Sequence, residues 1–137
     1  MMKNKLLYLE EKDFVSIANY SDRVEEIYSI RSEVNRLANK HLFSVLEYRK
    51  LIRKETDLKN KIPIYFSESL LLFYVKSLDA TYWINYFNIL KICYEDEAYI
   101  IFKNGSILKL DVSKKLLKLE LIKINKVITY IDNLYLW

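Results

Sequence analysis

The sequence predicts an α+β fold: an antiparallel sheet, a helical region after the N-terminal strands, and a C-terminal helix packed on the sheet. Short apolar runs bounded by turn residues recur along the chain, as is typical of strands. Apolar residues at helical spacing run from Val24 to Ile52, and a second helical stripe follows Ser113. The chain has only one Gly and one Pro, so we expect short loops. Its length of 137 residues predicts a single domain, residues 1–137.

The clearest strand signal is a hairpin at Asn104-Gly105. Asn-Gly between two apolar runs is typical of a two-residue type I′ loop, which would pair Phe102 with Ile107. Side chains alternate along a strand, so one set should share the core face: Tyr99, Ile101, Leu108, Leu110 and Val112. The apolar run 89–94 adds a third strand, and the sequence therefore predicts a meander that begins near Trp83.

The chain before this meander predicts strands on either side of a helical region. Residues 6–9 and 14–18 are short strand candidates. Ser21 is a candidate N-cap for the helical stripe that starts at Val24, and we expect one or two helices between Asp22 and Lys54. Pro63 then favours an edge strand, and residues 70–75 form a further strand candidate.

The segment after Ser113 predicts a helix with a wide apolar stripe. Ser113 can cap it, and its stripe contains Leu117, Leu121, Ile124, Ile128, Ile131 and Tyr135. Residues 117–125 also alternate every second position, which leaves a strand as the competing interpretation, but length and the cap favour a helix. A helix this apolar packs on the sheet or forms a subunit interface.

Composition excludes several classes of protein. A hydrophobic fraction of 52% excludes a disordered chain. Cys93 is the only cysteine, and we expect it to be a small apolar residue in a strand. His41, the only histidine, lies on an apolar face, so we expect a satisfied core or boundary histidine rather than a catalytic base. There is neither a Gly-rich phosphate loop nor metal-ligand spacing, so we expect no enzyme, cofactor, metal or small-molecule substrate. No apolar run is long enough for a signal peptide or membrane span, and a cytoplasmic protein is the expectation.

One stretch concentrates positive charge. Within thirteen residues lie six cations: Arg49, Lys50, Arg53, Lys54, Lys59 and Lys61. Glu55 and Asp57 are the only acids among them. On a helix, residues four apart share a face. The stretch is either a solvated helix end or a phosphate-contacting patch. The net charge of +4 and pI of about 9.0 favour an anionic partner, although an A+T-rich coding sequence would also enrich lysine.

An ordered set of short motifs resembles the ComK family of competence transcription factors. The motifs are Lys61-Ile62-Pro63-Ile64, Leu72-Phe73-Tyr74-Val75-Lys76-Ser77, Trp83-Ile84-Asn85, Ile101-Phe102-Lys103-Asn104-Gly105 and Leu110-Asp111-Val112-Ser113. Their order and spacing agree with that family over about sixty residues. More weakly, Ser32 matches the family's serine-cysteine pair, and Tyr48-Arg49-Lys50 matches its tyrosine followed by Gly-Arg-Lys.

The resemblance implies a DNA-binding transcriptional activator that recognises AT-rich duplex DNA, largely through the minor groove, as a homo-oligomer. It implies no enzyme chemistry. Arg49 and Lys50 match the basic pair of the family motif and are expected to contact DNA. Arg53, Lys54, Lys59 and Lys61 join the expected DNA-binding set through charge clustering alone.

The sequence also departs from the family pattern. Glu33 stands in place of the cysteine, the glycine before Arg49-Lys50 is absent, and Phe73-Tyr74-Val75 replaces Phe-Pro-Thr. The sequence ends at Trp137, short of the C-terminal extension that the family uses for proteolytic control and multimerisation. The alternative is therefore a non-enzymatic protein-interaction module, a divergent paralogue that dimerises through its C-terminal helix and has lost DNA readout.

Overall fold

The computed structural model describes residues 4–134. Its strands are β1 (Leu6–Lys12), β2 (Val15–Tyr20), β3 (Val24–Ile27), β4 (Ile64–Ser67), β5 (Leu70–Lys76), β6 (Thr81–Asn85), β7 (Ile89–Cys93), β8 (Ala98–Phe102) and β9 (Ile107–Leu110). Its helices are α1 (Ile30–Lys40), α2 (Val45–Glu55) and α3 (Lys114–Leu134), with a short 3-10 turn at Tyr86–Asn88.

The strands form two antiparallel sheets, which confirms the α+β prediction. A six-stranded sheet has the order β3-β2-β1-β6-β5-β4, and a three-stranded sheet has the order β7-β8-β9. β4 is an edge strand that follows Pro63, as predicted. Trp83 lies in β6, paired with Leu9 and Tyr74, so it belongs to the larger sheet and the prediction that it begins the meander is wrong.

Both faces of the six-stranded sheet are buried. Leu9, Leu72 and Trp83 pack with α1 and α2 on one face. Leu71 and Phe73 pack on the other face, in a core that includes residues of the three-stranded sheet and α3. This arrangement explains why β5 is an unbroken apolar run: with both faces covered, consecutive side chains are all buried.

The helical region begins six residues later than predicted. Val24–Ile27 is the edge strand β3, paired with β2, and three of its four residues are exposed. Val24 and Ile27 are three apart, and that spacing alone indicates a helix. Ser29, and not Ser21, caps α1 by accepting from Ser32 N at 3.0 Å. The prediction of one or two helices is confirmed as two, since the chain turns between them with Leu42 at a φ of +65°.

The central hairpin is present, but its predicted register is wrong. Phe102 N donates to Ser106 O at 2.9 Å, so the loop has three residues, and of these Gly105 alone has positive φ. Ile101 therefore pairs with Ile107. A one-residue shift moves every side chain of β8 to the opposite face. The buried side chains of β8 and β9 are Ala98, Ile100, Phe102, Leu108 and Leu110, so the predicted core face holds for β9 and fails for β8.

The C-terminal helix is confirmed, and the competing strand interpretation is wrong. Ser113 Oγ accepts from Leu116 N at 3.2 Å, as expected of an N-cap. Leu117, Ile124 and Val127 are buried in the core. The predicted stripe member Tyr135 lies outside the described residues.

Candidate nucleic-acid interface

The basic helix α2 is fixed to the sheet by one apolar side and one hydroxyl. Val45 and Ile52 are buried. Tyr48 Oη donates to Pro63 O at 2.7 Å and accepts from Tyr65 N at 3.1 Å. These contacts fasten α2 to the start of β4, and burial raises the pKa of Tyr48, so its hydroxyl stays protonated. The other side of α2 is thereby held toward the surface.

Three of the predicted site residues are exposed on that outer side of α2: Lys50, Arg53 and Lys54. Arg49 is half-buried on the side of α2 that faces α1. Arg49 and Arg53 are one turn apart, as are Lys50 and Lys54. Lys50 lies 3.8 Å from Glu47, and both side chains are largely exposed. Glu47 offsets part of the positive charge of α2, but cations still outnumber acids on this helix by four to two.

Arg49 lies among other guanidinium groups. Burial lowers the pKa of Arg49, and the nearby charges of Arg53 and Arg31 lower it further. Like charges that repel one another so closely favour the approach of an anion.

The segment after α2 is held by its own contacts and by α3. Arg53 Nε donates to Lys59 O at 2.9 Å. From α3, Lys126 Nζ lies 2.8 Å from an oxygen of Asp57, and Lys123 Nζ lies 3.3 Å from Asn60 O. The hydrogen bond from Lys126 holds the pKa of Asp57 below its usual value. One of the two acids in the basic stretch is thus already paired.

Lys61 lies in the segment after α2 and packs against the sheet. Its Nζ is 4.5 Å from the centre of the Tyr74 ring, a cation–π contact. The Tyr74 ring in turn meets the Trp83 ring edge to face at 5.5 Å. The structure therefore brings Arg49, Arg53 and the backbone of Lys59 together. It places the Lys61 side chain against the Tyr74 ring.

A groove between α1 and α2 extends this surface. Its volume is about 830 Å³ and Trp83 contributes to its lining. Arg31, Asn35 and Asn39 line it from α1, and Arg49 lines it from α2. Sequence reasoning missed Arg31 because it counted charge in one linear window. The available signal was the spacing of Arg31, Asn35 and Asn39 at four-residue intervals, which places them on one face of a helix.

The remaining candidates have structural roles. His41 follows α1, is half-buried, and its Nδ1 lies 2.9 Å from Leu37 O, which confirms a boundary histidine. Cys93 is the last residue of β7 and is half-buried. Among residues 4–134, no group of three or more His, Cys, Asp or Glu side chains is placed to hold a metal ion. In the same residues no helix combines the length and apolarity needed to cross a membrane.

Comparison with known proteins identifies the family. The family model described as ComK protein matches residues 25–134, well over half of the chain. This chain belongs to the ComK family. No curated protein matches it, and no solved structure does. The predicted resemblance is confirmed, and the motifs that carried it fall inside the matched range.

Membership settles the class of function at the level of the family. ComK proteins are competence transcription factors that bind DNA, so this chain is a transcription regulator of that kind. The family is not a family of enzymes, which agrees with the expectation of a non-enzymatic protein.

Proposed function

We propose that this ComK-family protein binds AT-rich double-stranded DNA through the basic surface of α2 and the segment that follows it. This basic surface comprises Arg49, Lys50, Arg53, Lys54, Lys59 and Lys61. The observation that carries the proposal is the clustering of Arg49 and Arg53 on adjacent turns of α2, with Arg31 and Arg49 lining the same groove, so that their like charges repel one another. Phosphate groups of DNA would relieve that repulsion and release counterions.

AT-rich sequence suits such a surface. The narrow minor groove of A·T tracts has a strong negative potential that attracts inserted Arg and Lys side chains. We propose that the chain folds as one domain, since both of its hydrophobic cores share the six-stranded sheet. We also propose that the protein acts in the cytoplasm as a homo-oligomer.

The test is fluorescence anisotropy with an AT-rich and a GC-rich duplex, each across a salt series. We expect tighter binding to the AT-rich duplex and a log–log slope of about −0.9 for each phosphate contact. The double variant Arg49→Glu, Lys50→Glu should weaken binding to both duplexes, because phosphate contacts carry no sequence information.

A matched control separates local contacts from net charge. Lys103→Glu, Lys109→Glu makes the same change of charge at exposed positions of the β8–β9 hairpin. An affinity equally reduced in both double variants would remove Arg49 and Lys50 from the interface. No binding of the wild-type protein at low salt would contradict the proposal and favour the alternative below.

The alternative is a protein-interaction module that pairs through α3. Four large apolar side chains on α3 are at least 36% exposed: Leu116, Leu119, Ile122 and Leu134. Burying them against a second copy would be favourable. Sedimentation equilibrium tests this: Leu119→Glu, Ile122→Glu should dissociate a wild-type dimer. A wild-type protein that remains monomeric at high concentration would contradict the alternative.

A further inference from the structure

We propose that the groove between α1 and α2 is a phosphate-ester site, with Arg31 on one wall and Arg49 on the other. We infer that a backbone phosphate of bound DNA fills it, a step that rests on the proposed function. Arg31 lies outside the basic surface defined above, and nothing in the basic stretch of sequence points to it.

The walls of the groove carry donors and positive charge. Arg31, Asn35 and Asn39 form one row along α1, Ser44 is the N-cap residue before α2, and Arg49 lies within α2. None of the residues that line the groove is acidic, and all of them belong to the described part of the chain. Such a set of donors without a carboxylate suits a ligand that is an anion and an acceptor.

The nearest buried carboxylate of α1 is committed elsewhere. Glu33 is buried, and its carboxylate receives Nε of Arg36 at 3.0 Å and Nη2 of Arg36 at 2.6 Å. Glu33 and Arg36 therefore neutralise each other and do not line the groove. The charge of Arg31 is left to act on a ligand.

Arg31 occupies an unfavourable place for a cation. It lies in the first turn of α1, where the helix dipole favours negative charge. It also faces the charge of Arg49, which is partly buried and already repelled by Arg53. An anion between the two guanidinium groups would turn both unfavourable interactions into favourable ones, and each guanidinium can donate two hydrogen bonds to a phosphate.

The floor of the groove is apolar and its size exceeds one phosphate. Val34, Ala38 and Trp83 line it and each is at most 7% exposed. The volume of about 830 Å³ lies within the range of ordinary ligand sites. The room beyond the phosphate suits a sugar or base, which is why an ester fits better than inorganic phosphate.

The first experiment measures the salt dependence of DNA binding by Arg31→Gln. Losing one phosphate contact should weaken binding about tenfold and make the log–log slope shallower by about 0.9. The charge-preserving variant Arg31→Lys should keep the slope and lose part of the affinity, because an ammonium group cannot donate as a fork. The control Lys109→Gln removes one exposed charge on β9 and should leave the slope unchanged.

The second experiment asks whether the groove binds a free phosphate ester. The Trp137→Phe variant leaves Trp83 as the only tryptophan, so its emission reports the groove. We expect deoxyadenosine monophosphate to change that emission and deoxyadenosine, which lacks the phosphate, to leave it unchanged. Adding Arg31→Gln should abolish the response.

The outcomes separate the two proposals. If the wild-type protein binds DNA and Arg31→Gln behaves as Lys109→Gln does, the groove proposal is overturned and the proposed function stands. If DNA does not bind but the monophosphate changes Trp83 emission in an Arg31-dependent way, the groove is a site for a free phosphate ester and the proposed function fails. If Arg31→Gln changes neither the affinity for DNA nor the response of Trp83 emission to the monophosphate, the site does not exist.

Discussion

Replacing Asn85 with alanine should be one of the most damaging single changes in the fold. Asn85 is fully buried at the end of β6. Its Oδ1 accepts from Leu71 N at 3.1 Å and from Phe87 N at 3.3 Å. Its Nδ2 donates to Leu6 O and Ser69 O, both at 3.0 Å. One side chain thus joins β1, β5 and the 3-10 turn, and uses both its donors and both its acceptor positions.

The magnitude follows from those four hydrogen bonds. Each contributes a net ~1 kcal/mol, so Asn85→Ala should lower the free energy of unfolding by about 4 kcal/mol. That is a large share of the 5–15 kcal/mol typical of a domain, on the order of a third or more. With a urea m-value of about 2 kcal/mol/M, the unfolding midpoint should fall by about 2 M.

Two further variants calibrate the urea measurement. Asn88 donates two hydrogen bonds, both of 2.8 Å, to Asn4 O and Leu6 O, so Asn88→Ala should cost about half as much. Asn133 is exposed near the end of α3, and Asn133→Ala should change stability by less than ~0.5 kcal/mol. A loss below ~1 kcal/mol for Asn85→Ala at an unchanged m-value would refute the reasoning.

Three other changes test separate parts of the fold. Tyr48→Phe removes the hydroxyl that bonds the backbone around β4 and should cost about 2 kcal/mol in urea unfolding, whereas Tyr28→Phe at a 95% exposed side chain should cost nothing measurable. Gly105→Ala should lower the thermal unfolding midpoint by the equivalent of about 1 kcal/mol. Gly105 has a φ of +89° and an added Cβ would meet no atom within 4 Å, so the cost comes from the backbone conformation alone. A variant with the same midpoint as the wild-type protein would contradict this. Glu120→Gln should stabilise the fold at pH 7 but not at pH 4, because burial raises the pKa of Glu120 in the folded state despite the nearby Lys123. A carboxyl group of this kind destabilises the folded state as the pH rises above 4.5, the pKa of the group in the unfolded chain. Urea midpoints of the variant and wild-type proteins that differ equally at both pH values would exclude this explanation.

Local backbone chemistry made much of the fold predictable. Ser113 as an N-cap and Pro63 before an edge strand are signals that act within a few residues, so tertiary structure has little scope to override them. The apolar run of β5 was equally readable, because a strand buried on both faces needs no alternation.

The register of the central hairpin could not be read in the same way. Asn-Gly fits a two-residue loop, and Gly also fits the last position of a three-residue loop. The longer loop forms here with Phe102 fully buried in the core and Asn104 Oδ1 accepting from Ser106 N at 3.1 Å. Core burial on the far side of the strand decides the register, and a local pattern does not contain that information.

The candidate site was predictable only in part for a related reason. The basic surface lies on one helix and its following segment, so a linear window of charge found it. Arg31 approaches Arg49 only because the chain reverses between α1 and α2, with Leu42 in a left-handed conformation. The direction in which two helices leave such a turn depends on the sheet beneath them, and the sequence of the helices does not specify it.

Two of the departures from the family pattern leave the cations of the basic surface and of the groove in place. The motif Tyr48-Arg49-Lys50 lies inside the continuous helix α2, where a glycine would cost about 1 kcal/mol relative to alanine. The absence of that glycine keeps Arg49 and Arg53 on one ordered face. Glu33, in place of a cysteine, lowers the net charge by one unit, but its carboxylate pairs with Arg36 and does not line the groove. Neither departure removes a cation or places an acid in the groove, so neither one argues against contact with phosphate.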